Sequence, residues 1–238
     1  IAVSAIGVRA MSIPAMRHVL EAAPVEALET RLDILTPPTS EPFSFAIAPD
    51  GRRVVFAASS GEGRQRLWLR ALDNLTPQVL AGTEGAVSPF WSPDSRSIGF
   101  FADSKLKRLD LGSGSPLTVT NVSVLPRGAT WSSDGVILFA PSASGSLYRV
   151  PDSGGDAVVV TRPQPLHTSH RYPQFLPSTR QFLFYVQGAT ELQGIYLGSL
   201  DSSETKRLTP ADAAAAYTEP ALVVYIRQET LVARTLDM

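Results

Sequence analysis

The feature that most constrains this chain is a segment that recurs at a nearly fixed interval. Its clearest copy is Phe90-Trp91-Ser92-Pro93-Asp94-Ser95-Arg96-Ser97-Ile98-Gly99-Phe100-Phe101, preceded by Phe45-Ala46-Ile47-Ala48-Pro49-Asp50-Gly51-Arg52-Arg53-Val54-Val55-Phe56. It is followed by Ala129-Thr130-Trp131-Ser132-Ser133-Asp134-Gly135-Val136-Ile137-Leu138-Phe139, then by a looser copy around Pro177-Ser178 and a degraded one around Thr218. From Asp50 to Asp94 is 44 positions, to Asp134 a further 40, to Ser178 another 44 and to Thr218 another 40. An interval of this size is that of one four-stranded propeller blade. Each copy reads as a β-hairpin, in which an apolar strand enters a Pro-Asp-Gly or Ser-Asp-Gly turn and a second apolar strand leaves it. Pro49, Asp50, Gly51, Pro93, Asp94, Asp134, Gly135 and Pro177 are the turn residues. Proline fixes φ, aspartate accepts backbone N–H bonds, and glycine tolerates the tight conformation.

A third strand follows each hairpin and ends at an aspartate, as in Leu67-Trp68-Leu69-Arg70-Ala71-Leu72-Asp73 and Leu231-Val232-Ala233-Arg234-Thr235-Leu236-Asp237. Shorter fourth strands come after a polar turn, at Gln78-Val79-Leu80, Val158-Val159-Val160 and Lys206-Arg207-Leu208. Four strands per unit, without 3.6-residue apolar periodicity, exclude a helical solenoid. The fold class is therefore all-β, a propeller of about five four-stranded blades, in a closed ring or an open arc. Its blades are expected at 43–85, 86–126, 127–170, 171–213 and 214–238.

The fifth unit ends after its third strand. The alternating stretch 31–35 is the candidate for its missing fourth strand, so that 31–238 make up the propeller and 1–30 a separate segment. Within that segment, Ser12 to Ala22 reads as a short helix capped by Ser12 with Pro14 in its first turn. The apolar run from Ile1 to Val8 is far shorter than the ~20 residues needed to span a bilayer. It reads as a packed or disordered terminus or as the stub of a membrane helix.

A formal charge of −1 and scattered arginines provide no basic stripe for a phosphate backbone, which excludes nucleic acid as a partner. The absence of cysteine removes disulfides, thiolate metal sites and cysteine nucleophiles. No phosphate-binding glycine loop, nucleophile elbow, His-Glu-x-x-His or kinase catalytic loop is present, so neither a cofactor nor a catalytic residue is nominated.

Two histidines, His167 and His170, lie in Pro165-Leu166-His167-Thr168-Ser169-His170-Arg171-Tyr172. They are the metal or ligand candidates if they face the central channel. The alternative is a solvated connection between blades, since two imidazoles with no third ligand make an incomplete metal site. The recurring aspartates suit a turn needed in every unit better than a catalytic pair, which is needed once. Trp91, Trp131 and Phe175 read as core aromatics of the inner strands.

The hairpin copies, above all Trp91-Ser92-Pro93-Asp94-Ser95-Arg96-Ser97-Ile98-Gly99-Phe100 and Ala48-Pro49-Asp50-Gly51-Arg52-Arg53-Val54-Val55-Phe56, resemble the WD40-like PD40 repeat of TolB-type propellers. The longer run from Arg31-Leu32-Asp33-Ile34 through Leu67-Trp68-Leu69-Arg70 to Phe100-Phe101-Ala102-Asp103 is similar to the C-terminal propeller of bacterial serine/threonine protein kinases. This resemblance implies a non-catalytic sensing or docking module on the extracytoplasmic side of a bacterial membrane. It would bind a protein, peptide or envelope ligand on one face, and reach the membrane only through an upstream segment. The competing classes are the regulatory propeller of a prolyl-oligopeptidase-like serine peptidase and a TolB-like periplasmic binding or scaffold protein.

Overall fold

The apolar hairpin strands and the strands that follow them pair into five antiparallel sheets, seen in a computed structural model that describes residues 36–59, 63–112, 114–123 and 125–236. The segment 1–30 and the stretch 31–35, with the expected helix and fourth strand, lie outside the described residues. The first sheet runs β1 (Phe45–Ile47), β2 (Arg53–Ala58), β3 (Arg66–Ala71) and β4 (Gln78–Val79). The second runs β5 (Val87–Trp91), β6 (Ser97–Ala102), β7 (Lys105–Asp110) and β8 (Leu117–Asn121). In the third, β9 (Ala129–Trp131), β10 (Val136–Phe139), β11 (Tyr148–Pro151) and β12 (Val158–Val159) keep the same order. The fourth has β13 (His167–Phe175), β14 (Gln181–Gly188), β15 (Gly194–Ser199) and β16 (Ser202–Thr209). The fifth has three described strands, β17 (Ala216–Thr218), β18 (Leu222–Arg227) and β19 (Thr230–Thr235). In every sheet the strands follow sequence order, and successive sheets stack as the blades of a propeller. No helix among the described residues is long and apolar enough to cross a membrane.

The second strand of each of the first four blades is apolar almost throughout because a neighbouring surface covers each face, and strands buried on both faces read as continuous apolar runs. On β6, Ile98, Phe100 and Ala102 pack toward blade 1 with Val55, Ala57 and Leu67, while Phe101 packs toward blade 3 with Trp131, Ile137 and Phe139. On β14, Phe182, Phe184 and Val186 meet Leu138 and Leu147 of blade 3. Leu183 and Tyr185 meet Val223 and Tyr225 of blade 5. Fully burying one such phenylalanine contributes about 2–3 kcal/mol, so the core is four sandwiched junctions rather than one central mass.

One backbone bond recurs in all five blades and fixes where the third strand ends. The amides of Leu72, Leu111, Asp152, Leu200 and Leu236 donate to the carbonyls of Arg52, Arg96, Gly135, Arg180 and Ala221 at 2.8–3.0 Å. The stretch around His167, read from sequence as a loop, is instead the first part of β13. It pairs His170 with Val186 and Arg171 with Tyr185, with register shifts on either side. Its lack of strict alternation comes from those bulges, which put two residues opposite one.

Candidate functional site

The five inner strands end at one mouth of the propeller axis, and there the hairpin turns surround a depression of about 550 Å³. Blade 1 contributes Pro49, blade 2 Trp91 and Pro93, and blade 3 Trp131 and Ser133. Blade 4 supplies Phe175 and Ser178, and blade 5 supplies Tyr217 and Glu219. Repetition explains this composition, because the last residue of an inner strand and its turn occupy equivalent positions around the axis.

The turns are rigid. Gly51, Ser95, Gly135 and Thr179 donate their amides to the carbonyls of Ala48, Ser92, Ser132 and Leu176, at 2.8, 3.0, 3.2 and 3.3 Å. Gly51, Ser95 and Gly135 all have positive φ, the left-handed region that glycine enters without a Cβ clash. Ser95 meets this demand without being glycine, and its hydroxyl accepts the Asp50 amide of the preceding blade at 3.0 Å.

Every repeated aspartate is engaged in its turn or across a blade junction. Asp94 accepts the Ser92 hydroxyl at 2.6 Å and the Arg96 amide at 3.0 Å, which hold its carboxyl below the usual range, the hydroxyl contributing most. Asp50 is held low first by the Arg52 amide and then by Arg53. Asp134 accepts from Ser132 and pairs with Arg180 of blade 4, which also donates to Asp201 at 2.8 Å. Carboxylates stabilised in their charged form are poor proton acceptors, so Asp50 and Asp94 serve their turns rather than proton transfer.

The aromatic rings serve the core and the depression at once. Trp91 and Trp131 are each 7% exposed, and their indole N–H groups are already used. Trp91 donates to the Ala46 carbonyl at 3.1 Å, and Trp131 to Asp152 Oδ2 at 3.2 Å. Arg53 lies over the Trp91 ring at 5.3 Å, held by Asp50 and the Ser95 carbonyl. What these indoles offer the axis is apolar ring surface. Hydrogen bonding falls to Thr130, Ser133, Ser178, Thr179 and Thr218, and the ionisable lining residues are Tyr217 and Glu219.

His167 and His170 do not line the axial depression. They occupy the junction of blades 3 and 4, with Nδ1 of His167 3.2 Å from Nε2 of His170. Nδ1 of His170 lies 2.7 Å from Thr161 Oγ1, a hydroxyl that also accepts the Leu147 amide at 2.9 Å. His170 is 2% exposed and packs against Phe184, while His167 packs edge-on against Tyr196. Burial, reinforced by the neighbouring imidazole, lowers the His170 pKa from 6.5 to about 4, and burial lowers that of His167 as well. Among the described residues no group of three His, Cys, Asp or Glu is placed to hold a metal ion.

Of the residues named from sequence, Pro49, Pro93 and Pro177 are brought together at the depression with Trp91, Trp131 and Phe175, while the aspartates and glycines of the same turns are not among its lining residues. Gln174, Tyr217 and Glu219 were not singled out. The first two join blades 43 positions apart, and a pairing between blades leaves no mark in either local pattern.

No family model matches the chain, and no curated protein matches it. Among solved structures, TolB from Acinetobacter baumannii is similar with a TM-score of 0.66 and 20% identity, over 81% of this chain and 51% of that one. An oligogalacturonate lyase in complex with manganese gives a TM-score of 0.55 and 16% identity, over 82% of this chain and 64% of that one. A prolyl endopeptidase gives 0.54 and 14%, over 80% of this chain and 33% of that one. The chain thus spans about half the length of the TolB structure, and these likenesses establish one thing, a TolB-like β-propeller fold.

Proposed function

We propose that this chain is a non-catalytic binding propeller whose axial depression takes a segment of a protein or peptide partner. The observation that carries this reading is the lining itself. Four aromatic rings, a row of hydroxyls and a single carboxylate offer surface and hydrogen bonds, without the nucleophile–base pairing that covalent or acid–base chemistry requires. Apolar clefts with a few placed polar groups are the usual form of a recognition site. The likeness to TolB supports a propeller that binds, although the lyase and the endopeptidase use the same fold in enzymes.

The resemblance of the repeat run to the propellers of bacterial serine/threonine kinases supports a finer proposal. The chain is the extracytoplasmic, partner-sensing part of such a kinase, and the parent reading frame tests that attachment. A kinase domain upstream is expected, whereas a hydrolase domain downstream would replace it with the peptidase reading.

Selection of a displayed random-peptide library against the chain tests the binding role. Recovered peptides are expected to bind the wild type and to weaken at least tenfold, about 1.4 kcal/mol, with Tyr217→Ala or Ser178→Arg. A library that yields no binder, or binders indifferent to both substitutions, contradicts the proposal.

A further inference from the structure

The polar groups that line the axial depression divide into those the fold already uses and those it leaves over. Gln174 uses both ends of its amide on Tyr217, and Thr130 Oγ1 accepts the Phe175 amide at 3.2 Å. Thr179 Oγ1 accepts the Gln181 amide and donates to the Leu176 carbonyl, both at 3.2 Å. Ser132 is bonded inside its own turn, and Thr218 faces the Glu219 carbonyl. Among the described lining residues, the hydroxyls of Ser133, Ser178 and Tyr217 and the carboxylate of Glu219 have no such partner. These four groups come from blades 3, 4 and 5, whereas blades 1 and 2 contribute Pro49, Trp91 and Pro93. The depression thus has an apolar side and a side of oxygen atoms that can all accept hydrogen bonds.

Its charge has one sign. Glu219 alone among the described lining residues is ionised at neutral pH, and the arginines of the flanking turns leave that charge in place. Arg53 is paired with Asp50 at 3.0 Å, and Arg180 is shared between Asp134 and Asp201, two carboxylates to one cation. Arg52 and Arg96 are exposed and do not line the depression. A cationic occupant is therefore attracted and an anionic one repelled. The fold itself shows how a ring and two oxygens hold such a cation. The Arg53 guanidinium lies 5.3 Å from the centre of the Trp91 ring and donates to Asp50 Oδ2 at 3.0 Å and to the Ser95 carbonyl at 2.7 Å. Glu219, Ser178 and Tyr217 bring the same three kinds of group to the depression.

We propose that the axial depression recognises an arginine side chain of the partner peptide. Glu219 and the free hydroxyls take the guanidinium, and the aliphatic stem lies on the apolar side, as long cationic side chains do on apolar surface. This rests on the reading of the depression as the peptide site. Arginine fits better than lysine because its planar group stacks on rings and carries five donors, where an ammonium is a compact point charge.

The probes are peptides selected from the displayed library, synthesised with a fluorescent label and titrated into the full chain. They are expected to share one arginine whose replacement by citrulline, which keeps the shape and removes the charge, weakens binding about three- to fivefold. Glu219→Gln in the chain should give a loss of the same size. The citrulline peptide should then bind wild type and Glu219→Gln alike, because each change removes the same interaction. Selected peptides without arginine, or peptides that ignore Glu219→Gln but weaken with Tyr217→Ala, would overturn the arginine proposal and leave the axial site standing. No binder at all, or binders indifferent to Tyr217→Ala, would overturn both.

Discussion

Gln174 and Tyr217 join blades 4 and 5 by a two-point pairing in which a side chain imitates a strand. The Tyr217 amide donates to Gln174 Oε1 at 2.7 Å, and Gln174 Nε2 donates to the Tyr217 carbonyl at 3.4 Å. The two inner strands belong to different sheets, so the amide group links them and fixes the Tyr217 backbone at the depression. Gln174→Ala is expected to lower stability by about 1–2 kcal/mol, since it leaves a partly buried N–H unpaired. Gln174→Glu keeps the shorter bond and is expected to lose less. Urea denaturation of the two variants checks the order.

Two glycines lie beneath phenyl rings of the strand paired with them. A Cβ on Gly99 would sit 2.1 Å from Phe90 Cζ, and one on Gly198 2.6 Å from Phe182 Cζ. Phe90 and Gly99, and likewise Phe182 and Gly198, are direct cross-strand partners. Gly99→Ala and Gly198→Ala are each expected to destabilise by about 1–3 kcal/mol, the range for overpacking a filled core. Adding Phe90→Leu to Gly99→Ala should recover part of the loss in thermal or chemical unfolding, as it returns the space the methyl takes.

The buried His170 makes the blade 3–4 junction sensitive to acid. His170 has its pKa lowered from 6.5 to about 4 in the folded chain. Between those values the unfolded chain binds the proton and the folded chain does not, so stability is full above about pH 6.5 and falls toward pH 4. The span is worth about 3 kcal/mol. The lowered aspartates Asp50, Asp94, Asp103 and Asp110 act lower, as pH falls below their ordinary 3.8. Unfolding free energies from pH 7 to 4.5 should therefore decline in the wild type and much less in His170→Gln. An equal decline in both would show that the slope arises elsewhere.

Ser92 and Ser132 organise their turns from inside. The Ser92 hydroxyl accepts the Ser97 amide at 2.8 Å and faces both Asp94 Oδ1 and the Ser97 carbonyl, at 2.6 and 3.1 Å. Ser132 repeats the pattern with Val136 and Asp134. Both are buried, so Ser92→Ala and Ser132→Ala are each expected to cost about 1–2 kcal/mol. Peptide affinity at the axis should change little in Ser92→Ala, whose side chain lies outside the lining of the depression, which separates turn scaffolding from binding when both are measured on that variant.

The hairpins were legible because Pro-Asp-Gly and Ser-Asp-Gly turns carry their chemistry locally, and Asp50 or Asp94 bonds residues within three positions. The third strands were legible for the same reason. The stretch at His167 was not, because its burial comes from Thr161, Phe184 and Tyr196 rather than from its own alternation. The depression was legible only in part. Equivalent residues such as Trp91 and Trp131 appear in the repeat, but Gln174 and Glu219 break it, and their meeting depends on how separate blades are placed around the axis. Departures from the repeat mark where the mouth differs from one blade to the next.

Site-specific photo-crosslinking tests the axial account most directly. A photoreactive residue replaces Glu219 at the axial mouth in one variant and Gln228, in the opposite-end turn joining β18 and β19, in another. Each variant is illuminated with a peptide selected by the wild-type chain. The account predicts a covalent adduct from position 219 and none from position 228. Adducts from position 228 alone, or equal yields from both, would contradict an axial binding site.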